Sequence, residues 1–250
     1  MPQDTNIGGS HSQFPSTRWS AIIATNSDNT TERRHGFEVL VAAYWKPAYK
    51  YIRMKWHKSN EDAKDLTQAF FTKALEKDFF KSYDPAKARF RTFLRTCLDG
   101  FVANEEKAAH RLKRGGDQPM LSLDFEDAER ELRFSEIPDR ANATDYFDQE
   151  WVRGLFAITV ESLKSKLAAD DKSVYFDLFA LYDLNETVDR KPTYEKLAAE
   201  FELPTTKVNN YLAYVRREFR CLLLDKLREL TLTEEEFQSE ARTLLGIDLK

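Results

Sequence analysis

The chain has 250 residues, of which 42% are hydrophobic and 13% aromatic, which excludes an intrinsically disordered protein and allows one or two domains with substantial cores. The formal net charge of −4 argues against a protein that coats nucleic acid with its whole surface. Only eight glycines and eight prolines occur, and helix-forming residues dominate, so we expect an all-α fold.

The charge is distributed in alternating blocks. Residues 87–114 contain eight basic and three acidic side chains, a net charge of +5, and residues 205–228 contain six and two, a net charge of +4. Between them, residues 122–150 contain three basic and ten acidic side chains, a net charge of −7. Two basic helical blocks separated by an acidic spacer indicate two contact modules on one chain.

The N-terminal part of the chain predicts a succession of helices. Apolar spacing predicts helices over about 14–25, 31–43 and 44–56, with Pro47 in the first turn of the third. Further helices are predicted over about 61–76 and 90–112, separated by a turn that contains Asp84-Pro85. No segment shows the sustained alternation of a half-buried strand.

The C-terminal part begins with residues 117–148, which hold most of the acidic block and predict a linker with one short helix near 128–132. Helices are predicted over about 149–167 and 172–184. The segment from Thr193 to Leu223 then predicts a helix, a tight turn and a second helix, with Thr205 or Thr206 as the N-cap of the second. A last amphipathic helix is predicted from Thr233, with Glu236 as its capping-box partner.

Neither the termini nor the cysteines indicate a membrane or secreted protein. Residues 1–13 lack the basic and apolar regions of a signal peptide, and no stretch approaches the roughly 18 apolar residues of a membrane span. Cys97 and Cys221 lie in segments of apolar periodicity, which predicts buried free thiols in a reducing compartment. We therefore expect a cytoplasmic protein with a mobile leader.

The segment EDAKDLTQAFF, residues 61–71, combines a regular polar edge with two phenylalanines. At 100° per residue, one side of the predicted helix is polar and the other apolar. The polar side holds Asp62, Asp65, Gln68, Thr72 and Glu76, the apolar side holds Ala63, Leu66, Phe70 and Ala74, and Phe71 and Leu75 lie at the border. A solvated face of a core helix is the commonest origin of such a pattern.

A metal site is an alternative origin for grouped carboxylates. A di-iron bundle requires two Glu-x-x-His motifs on facing helices, and the sequence has only one, at residues 32–35. No nucleophile, phosphate loop or set of metal ligands converges elsewhere in the sequence. We therefore expect no cofactor, no metal and no catalytic residues.

Four segments in order, YWKPAYKYIRMKW, DAKDLTQAFFTKALE, SYDPAKARFRTFLRTCL and KRGG, resemble region 2 of bacterial RNA polymerase sigma factors of the extracytoplasmic-function group, in the sigma-70 family. The helix-turn-helix segment follows across the linker as region 4 does in that family. FPSTRWSAIIAT, LSLD after KRGG, and EEEFQSEARTLL resemble a planctomycete-type subgroup. The resemblance implies a sigma factor that directs polymerase to promoters and helps to melt the −10 element, and that is not itself an enzyme.

The implied architecture consists of two small helical domains joined by an acidic linker. It comprises a leader (1–13), a region 2-like domain (14–116), the linker (117–148), a region 4-like domain (149–230) and a C-terminal helical extension (231–250). The implied partners are core RNA polymerase, through its β′ clamp and β flap, promoter DNA and an anti-sigma factor, with no membrane partner.

The resemblance also implies three binding surfaces. The residues for core polymerase are Asp62, Asp65, Leu66, Gln68 and Phe71, where carboxylates suit bidentate pairing with arginine. The residues for the −10 element are Tyr83, Arg89, Arg91, Arg95, Lys107, Arg111, Lys113 and Arg114. The residues for the −35 element are Thr206, Lys207, Asn209, Asn210, Ala213, Tyr214 and Arg217.

The chain departs from the family at two points: Gly100 stands where an asparagine is frequent, and the second helix of the pair has fewer arginines. Three other interpretations stay open from the sequence. The chain could be a helix-turn-helix regulator that does not bind polymerase, a helical-bundle enzyme, or a divergent sigma-like protein that has lost DNA binding.

Overall fold

The computed structural model describes residues 20–109, 123–134, 142–185 and 191–246. Within these ranges the chain is helical and has no strand, which confirms the all-α prediction. The helices are α1 (Ala21–Ala24), α2 (Thr30–Lys55), α3 (Asn60–Glu76), α4 (Phe90–Ala109), α5 (Phe125–Phe134), α6 (Ala143–Ala169), α7 (Ser173–Phe179), α8 (Tyr194–Glu200), α9 (Thr205–Glu229) and α10 (Glu234–Leu245). A 3-10 turn at Phe79–Ser82 precedes α4. None of the described helices is long and apolar enough to cross a membrane.

The buried apolar side chains form two main cores. The first is built by α1 to α5, the N-terminal half of α6, the C-terminal half of α9, and α10. The second is built by the C-terminal half of α6, α7, α8 and the N-terminal half of α9. The two long helices α6 and α9 therefore run through both cores, and Phe219 of α9 contacts both.

The division between the cores differs from the predicted domain boundary at residues 148 and 149. Phe147, Trp151 and Leu155 follow one another at the four-residue spacing of a single helix face and pack in the first core. The same face continues into Leu163 and Leu167, which pack in the second core. Only Thr159, which is buried and donates its hydroxyl to the Leu155 carbonyl, interrupts the apolar stripe of α6 between the two cores, and the sequence analysis did not use it as a boundary.

α2 is one helix of 26 residues, whereas the sequence predicted two helices that meet at residues 43 and 44. Pro47 lies buried inside it and has no N–H to bond the carbonyl of Ala43. At this point α6 crosses closely, because a Cβ on Gly154 would lie 3.9 Å from that carbonyl oxygen. Tyr44 stacks on Trp151 of α6, with ring centroids 6.0 Å apart, so tertiary packing holds the helix together across the proline.

α5 lies within the segment predicted as an acidic linker, and it covers the short helix expected near residues 128–132. It packs on α2 through charged groups. Glu129 accepts hydrogen bonds from the Tyr49 hydroxyl, at 2.6 Å, and from the Arg53 guanidinium, at 2.8 Å. Lys46 of α2 pairs with Asp127 and Glu131 of α5 at 3.1 and 2.6 Å. Part of the negative charge of this segment is therefore neutralised within the protein.

Three details of the prediction are corrected. The N-cap of α9 is Pro204, and Thr205 and Thr206 lie exposed in the first turn of the helix without a capping hydrogen bond. Cys97 is half-buried as a free thiol, but Cys221 is exposed, because it lies on the outer side of α9. The N-cap of α10 is as predicted, because the Thr233 side chain accepts from the N–H of Glu236. The reciprocal bond of the capping box differs: the Glu236 carboxylate accepts from the N–H of Leu232, one residue before the predicted donor.

Candidate polymerase- and nucleic-acid-binding surfaces

The predicted polymerase-binding edge lies on the N-terminal half of α3. Ser59 caps this helix: its hydroxyl accepts from the N–H of Asp62 at 3.1 Å and donates to the Asp62 carboxylate at 2.8 Å. Asp65, one turn further, is exposed, and no described side chain pairs with its carboxylate. Gln68 and Leu66 are half-buried. The edge therefore presents two carboxylates and an amide from one rigid helix.

Phe71, predicted at the border of this edge, is fully buried and lies in the core. Its ring packs edge-on against Phe70, with centroids 5.2 Å apart, and against Phe37 of α2, at 6.4 Å. Thr72, predicted on the polar side, is also buried. The buried face of α3 is wider than its apolar spacing indicates, because α2 and the 3-10 turn pack against it from different sides.

The predicted −10 residues nearest the start of α4 are covered rather than exposed. Tyr83 is 8% exposed, and its hydroxyl donates to Glu236 of α10 at 2.6 Å. Burial and this hydrogen bond raise the pKa of the Tyr83 phenol well above its ordinary value. The same Glu236 oxygen accepts from the backbone N–H of Phe90 at 2.8 Å. The α10 carboxylate therefore caps α4 and holds the tyrosine of the preceding loop.

Arg91 is 6% exposed and lies between two carboxylates. Its Nη1 is 2.9 Å from Glu240 of α10, and its Nε is 3.4 Å from Asp148 of α6. Its guanidinium also lies over the Trp151 ring, 5.1 Å from the centroid. Arg95 approaches the same Asp148, with its Nη1 at 3.8 Å. These two arginines are therefore neutralised inside the protein.

Of Arg89, Arg91 and Arg95, Arg89 has the most exposed side chain, and its guanidinium contacts α10. Its Nη2 donates to the hydroxyls of Ser239 and Thr243, both at 3.2 Å, and its Nη1 is 3.6 Å from Glu240. Of the remaining predicted −10 residues, Lys107 is exposed on α4. Arg111, Lys113 and Arg114 lie outside the described residues.

The contact between α10 and these basic residues was missed by the sequence analysis. Glu236 and Glu240 lie on the same face of α10 as Phe237 and Ala241, which are buried in the first core. Two carboxylates at positions i and i+4 on an apolar face are unusual, because buried acids need partners. That pattern was the available signal, but it does not say which basic residues the acids meet.

A separate groove lies on the exposed side of α4, between α3, α4 and the 3-10 turn, with a volume of about 420 Å³. Its lining includes Lys73, Phe79, Gly100 and Phe101. Lys73 lies over the Phe101 ring, 5.0 Å from the centroid, and pairs with Glu105 at 2.5 Å. Because Phe101 is 7% exposed and Lys73 is already paired, the half-buried Phe79 ring and the exposed Lys77 are the groups of this groove that suit stacking of an unpaired base and neutralisation of its phosphate.

The helix-turn-helix pair consists of α8 and α9. Val208, Leu212 and Val215 of α9 are fully buried in the second core and fix the orientation of the helix. Six of the seven predicted −35 residues are exposed, namely Thr206, Lys207, Asn209, Asn210, Ala213 and Arg217. The structure therefore brings them together on one side of the N-terminal half of α9.

Tyr214, the seventh predicted −35 residue, is half-buried. Its hydroxyl accepts from Lys172 at 3.2 Å, and the Arg217 guanidinium lies 5.4 Å from its ring centroid. Its neighbour Tyr211 stacks on Tyr175 of α7 with a centroid distance of 3.7 Å. These rings support the exposed face rather than extending from it.

Within the described ranges, no three His, Cys, Asp or Glu side chains are arranged to hold a metal ion. Comparisons of the chain with protein-family models, with curated proteins and with solved structures found no match.

Proposed function

We propose that the chain is a sigma factor that binds core RNA polymerase, directs it to promoters and helps to melt the −10 element. In this proposal the region 2-like part, up to residue 116, carries the polymerase and −10 contacts, and α8 with α9 carries the −35 contact. Its partners are core polymerase and promoter DNA. The resemblance of four consecutive segments supplies the functional class.

The observation that carries the proposal is the exposed edge of α3. No described Lys or Arg pairs with the Asp65 carboxylate, although the chain is rich in both residue types. Asp65 lies one helical turn from Asp62 and from Gln68. An unpaired carboxylate on a rigid helix suits an arginine-rich partner surface. The groove on the exposed side of α4 lies next to the same helix, so polymerase and an unpaired base could be bound side by side.

The test is the Asp65→Arg variant, measured for binding to purified core polymerase of the source bacterium. We expect at least a tenfold loss of affinity, because a carboxylate that faces arginine is replaced by a like charge. The Glu161→Arg variant makes the same charge change at another exposed acid, on α6, and should bind as the wild type does. Undiminished binding of Asp65→Arg, or no binding of the wild-type protein, would contradict the proposal.

A second candidate is a DNA-binding regulator that does not bind polymerase. The observation in its favour is that Tyr83 and Arg91, predicted to contact the −10 element, are both buried, whereas six of the seven predicted −35 residues on α9 are exposed. The same polymerase-binding measurement separates the two candidates, because a regulator of this kind would bind duplex DNA and no polymerase.

A further inference from the structure

α10 covers the basic surface that was predicted to face the −10 element. Its contacts with that surface are mostly polar: Glu236 with Tyr83, Glu240 with Arg91, and the hydroxyls of Ser239 and Thr243 with Arg89. Carboxylate and hydroxyl oxygens are the acceptors that arginine and tyrosine would otherwise find in DNA phosphates. α10 therefore presents to this surface the chemistry of a nucleic-acid backbone.

One charged pair at this interface, Arg91 with Glu240, is buried without well-directed hydrogen bonds, in contrast to Glu236, which accepts from Tyr83 and Phe90. In the described part of the chain, Arg91 Nε and Nη1, Asp148 Oδ1 and Glu240 Oε2 are buried, and none of them makes such a hydrogen bond, although the ion-pair distances are short. Burying two charges is costly, and the pair recovers this cost only when its geometry is good. Burial also raises the pKa of Glu240 despite the nearby arginines. The ion pair between Arg91 and Glu240 is therefore weaker than its short distance indicates.

Apolar side chains also hold α10 in place. Phe237 and Ala241 are buried in the first core, and the Arg228 guanidinium of α9 lies 4.1 Å from the Phe237 ring centroid. Only residues 230–233 join α9 to α10. A released α10 would therefore stay close to its site, and its effective concentration there, on the order of millimolar, would favour rebinding.

From these contacts we propose that α10 is an intramolecular ligand of the Tyr83, Arg89 and Arg91 surface, which competes with the DNA backbone for it. The inference rests on the proposed function, because it assigns DNA to that surface. In the free protein α10 occupies the surface and DNA binds weakly. When DNA engages the surface, its phosphates replace Glu236 and Glu240, and α10 leaves.

The alternative is that α10 is a permanent part of the first core. In that case loosening α10 would lower stability and leave DNA affinity unchanged. The two cases differ in one respect only: whether the polar contacts of α10 and the binding of DNA exclude each other.

The experiment compares the full-length wild type with Glu240→Lys, which places a third cation beside Arg89 and Arg91. Glu235→Lys is the matched control, because this substitution makes the same charge change on the exposed side of the same helix. The probe is a fluorescent single-stranded 20-mer of random sequence. We expect Glu240→Lys to raise the affinity for the 20-mer at least tenfold and Glu235→Lys at most about twofold, because a charge added on the exposed side of α10 contributes only a weak, screened electrostatic attraction. Equal effects of the two variants would overturn the inference.

A second measurement requires no substitution. Amide hydrogen exchange of α10 in the wild-type protein is followed with and without saturating 20-mer, and we expect exchange over residues 234–245 to accelerate at least tenfold when DNA binds. Unchanged or slower exchange would overturn the inference, as would the absence of any DNA binding by the wild type and Glu240→Lys alike. Binding to core polymerase, measured separately, tests the proposed function. If the protein binds polymerase but α10 and DNA do not compete for the surface, the inference about α10 is wrong and the proposed function still stands.

Discussion

Lys50 of α2 and Glu150 of α6 form an ion pair that is buried on both sides, with Nζ 2.5 Å from Oε2 and each side chain 2% exposed. The Lys50 ammonium also contacts Glu131 of α5 at 2.7 Å, and Arg153 contacts Glu150 at 2.5 Å. Residues 50 and 150 thus join α2 to the first half of α6. The pair fixes how α6 lies on α2.

We predict that Glu150→Ala lowers the free energy of unfolding by roughly 3–5 kcal/mol, because it leaves Lys50 buried with only a half-exposed partner. The double variant Lys50→Met, Glu150→Leu removes both charges and should recover most of that loss. Chemical denaturation of the wild type, Glu150→Ala and the double variant measures this. A double variant as unstable as Glu150→Ala would show that the cost is lost packing rather than an uncompensated charge.

The close approach of α1 to α2 depends on Gly36. A Cβ at this position would lie 2.6 Å from the Ala24 Cβ and 2.7 Å from the Ala21 carbonyl oxygen, both too close for real contacts. We predict that Gly36→Ala lowers the free energy of unfolding by roughly 1–3 kcal/mol, since α1 must shift to accept the methyl group. The measurement is thermal or urea unfolding.

Gly100 provides the control for Gly36, because a Cβ there would meet no described atom within 4 Å. It lies inside α4, so Gly100→Ala should stabilise the protein by about 1 kcal/mol through helix propensity alone. Opposite signs for the two Gly→Ala changes are the expected result. Two stabilising changes would mean that α1 does not pack on α2 as described.

The stability of the protein should depend on pH through Glu240. Burial raises the pKa of its carboxyl, Glu236 and Asp148 raise it further, and Arg91 and Arg89 lower it only in part. Between the ordinary glutamate pKa of about 4.3 and the raised value, the folded protein holds a proton that the unfolded chain has released. The stability due to this proton is present at the acidic end of that window and is lost as the pH rises through it.

This prediction is checked by measuring the free energy of unfolding of the wild type and of Glu240→Gln at several pH values between about 4.5 and 7. Gln keeps the size of the side chain and cannot titrate. We expect the wild type to lose stability relative to Glu240→Gln as the pH rises. Parallel profiles would show that Glu240 titrates normally and that the arginines fully compensate its burial.

The exposed face of α9 leads to a prediction about salt. Under the proposed function, Lys207 contacts a phosphate or a guanine, and Lys207→Ala should weaken binding to duplex promoter DNA. If the contact is to a phosphate, the slope of log affinity against log salt should fall by about 1. Arg34→Ala, an exposed cation on α2, is the control and should leave the slope unchanged. Equal affinities and equal slopes for all three proteins would show that Lys207 does not contact the DNA.

Local patterns were enough to predict the helices, because each has its own apolar periodicity and several have clear caps, such as Thr233 before α10. The continuity of α2 was not predictable, because Pro47 locally favours a helix start and only packing against α6 overrides it. The burial of Phe71 depends on neighbours on two sides of α3, which a helical wheel does not contain.

The largest gap concerns the candidate −10 surface. The basic residues were found, because arginines near the start of α4 are visible in the sequence, but their partners were not. Tyr83 and Glu236 are 153 residues apart, and no local pattern connects them. Exposure of a charged residue is a property of the whole fold, so a list of cations in a sequence does not tell which of them are free to bind.

The 25 residues of α9 begin at the candidate −35 face and end beside α10, without a break in the helix. A continuous helix moves as a rigid rod: at 1.5 Å per residue, a tilt of roughly 10° about Phe219 displaces its start by roughly 4 Å and its end by roughly 3 Å. The second displacement is as large as the distance between Arg91 and Glu240, which is 2.9 Å. A ligand that reorients one end of α9 would thus change the affinity of α10 for its site at the other, and release of α10 would change the affinity for that ligand by the same factor.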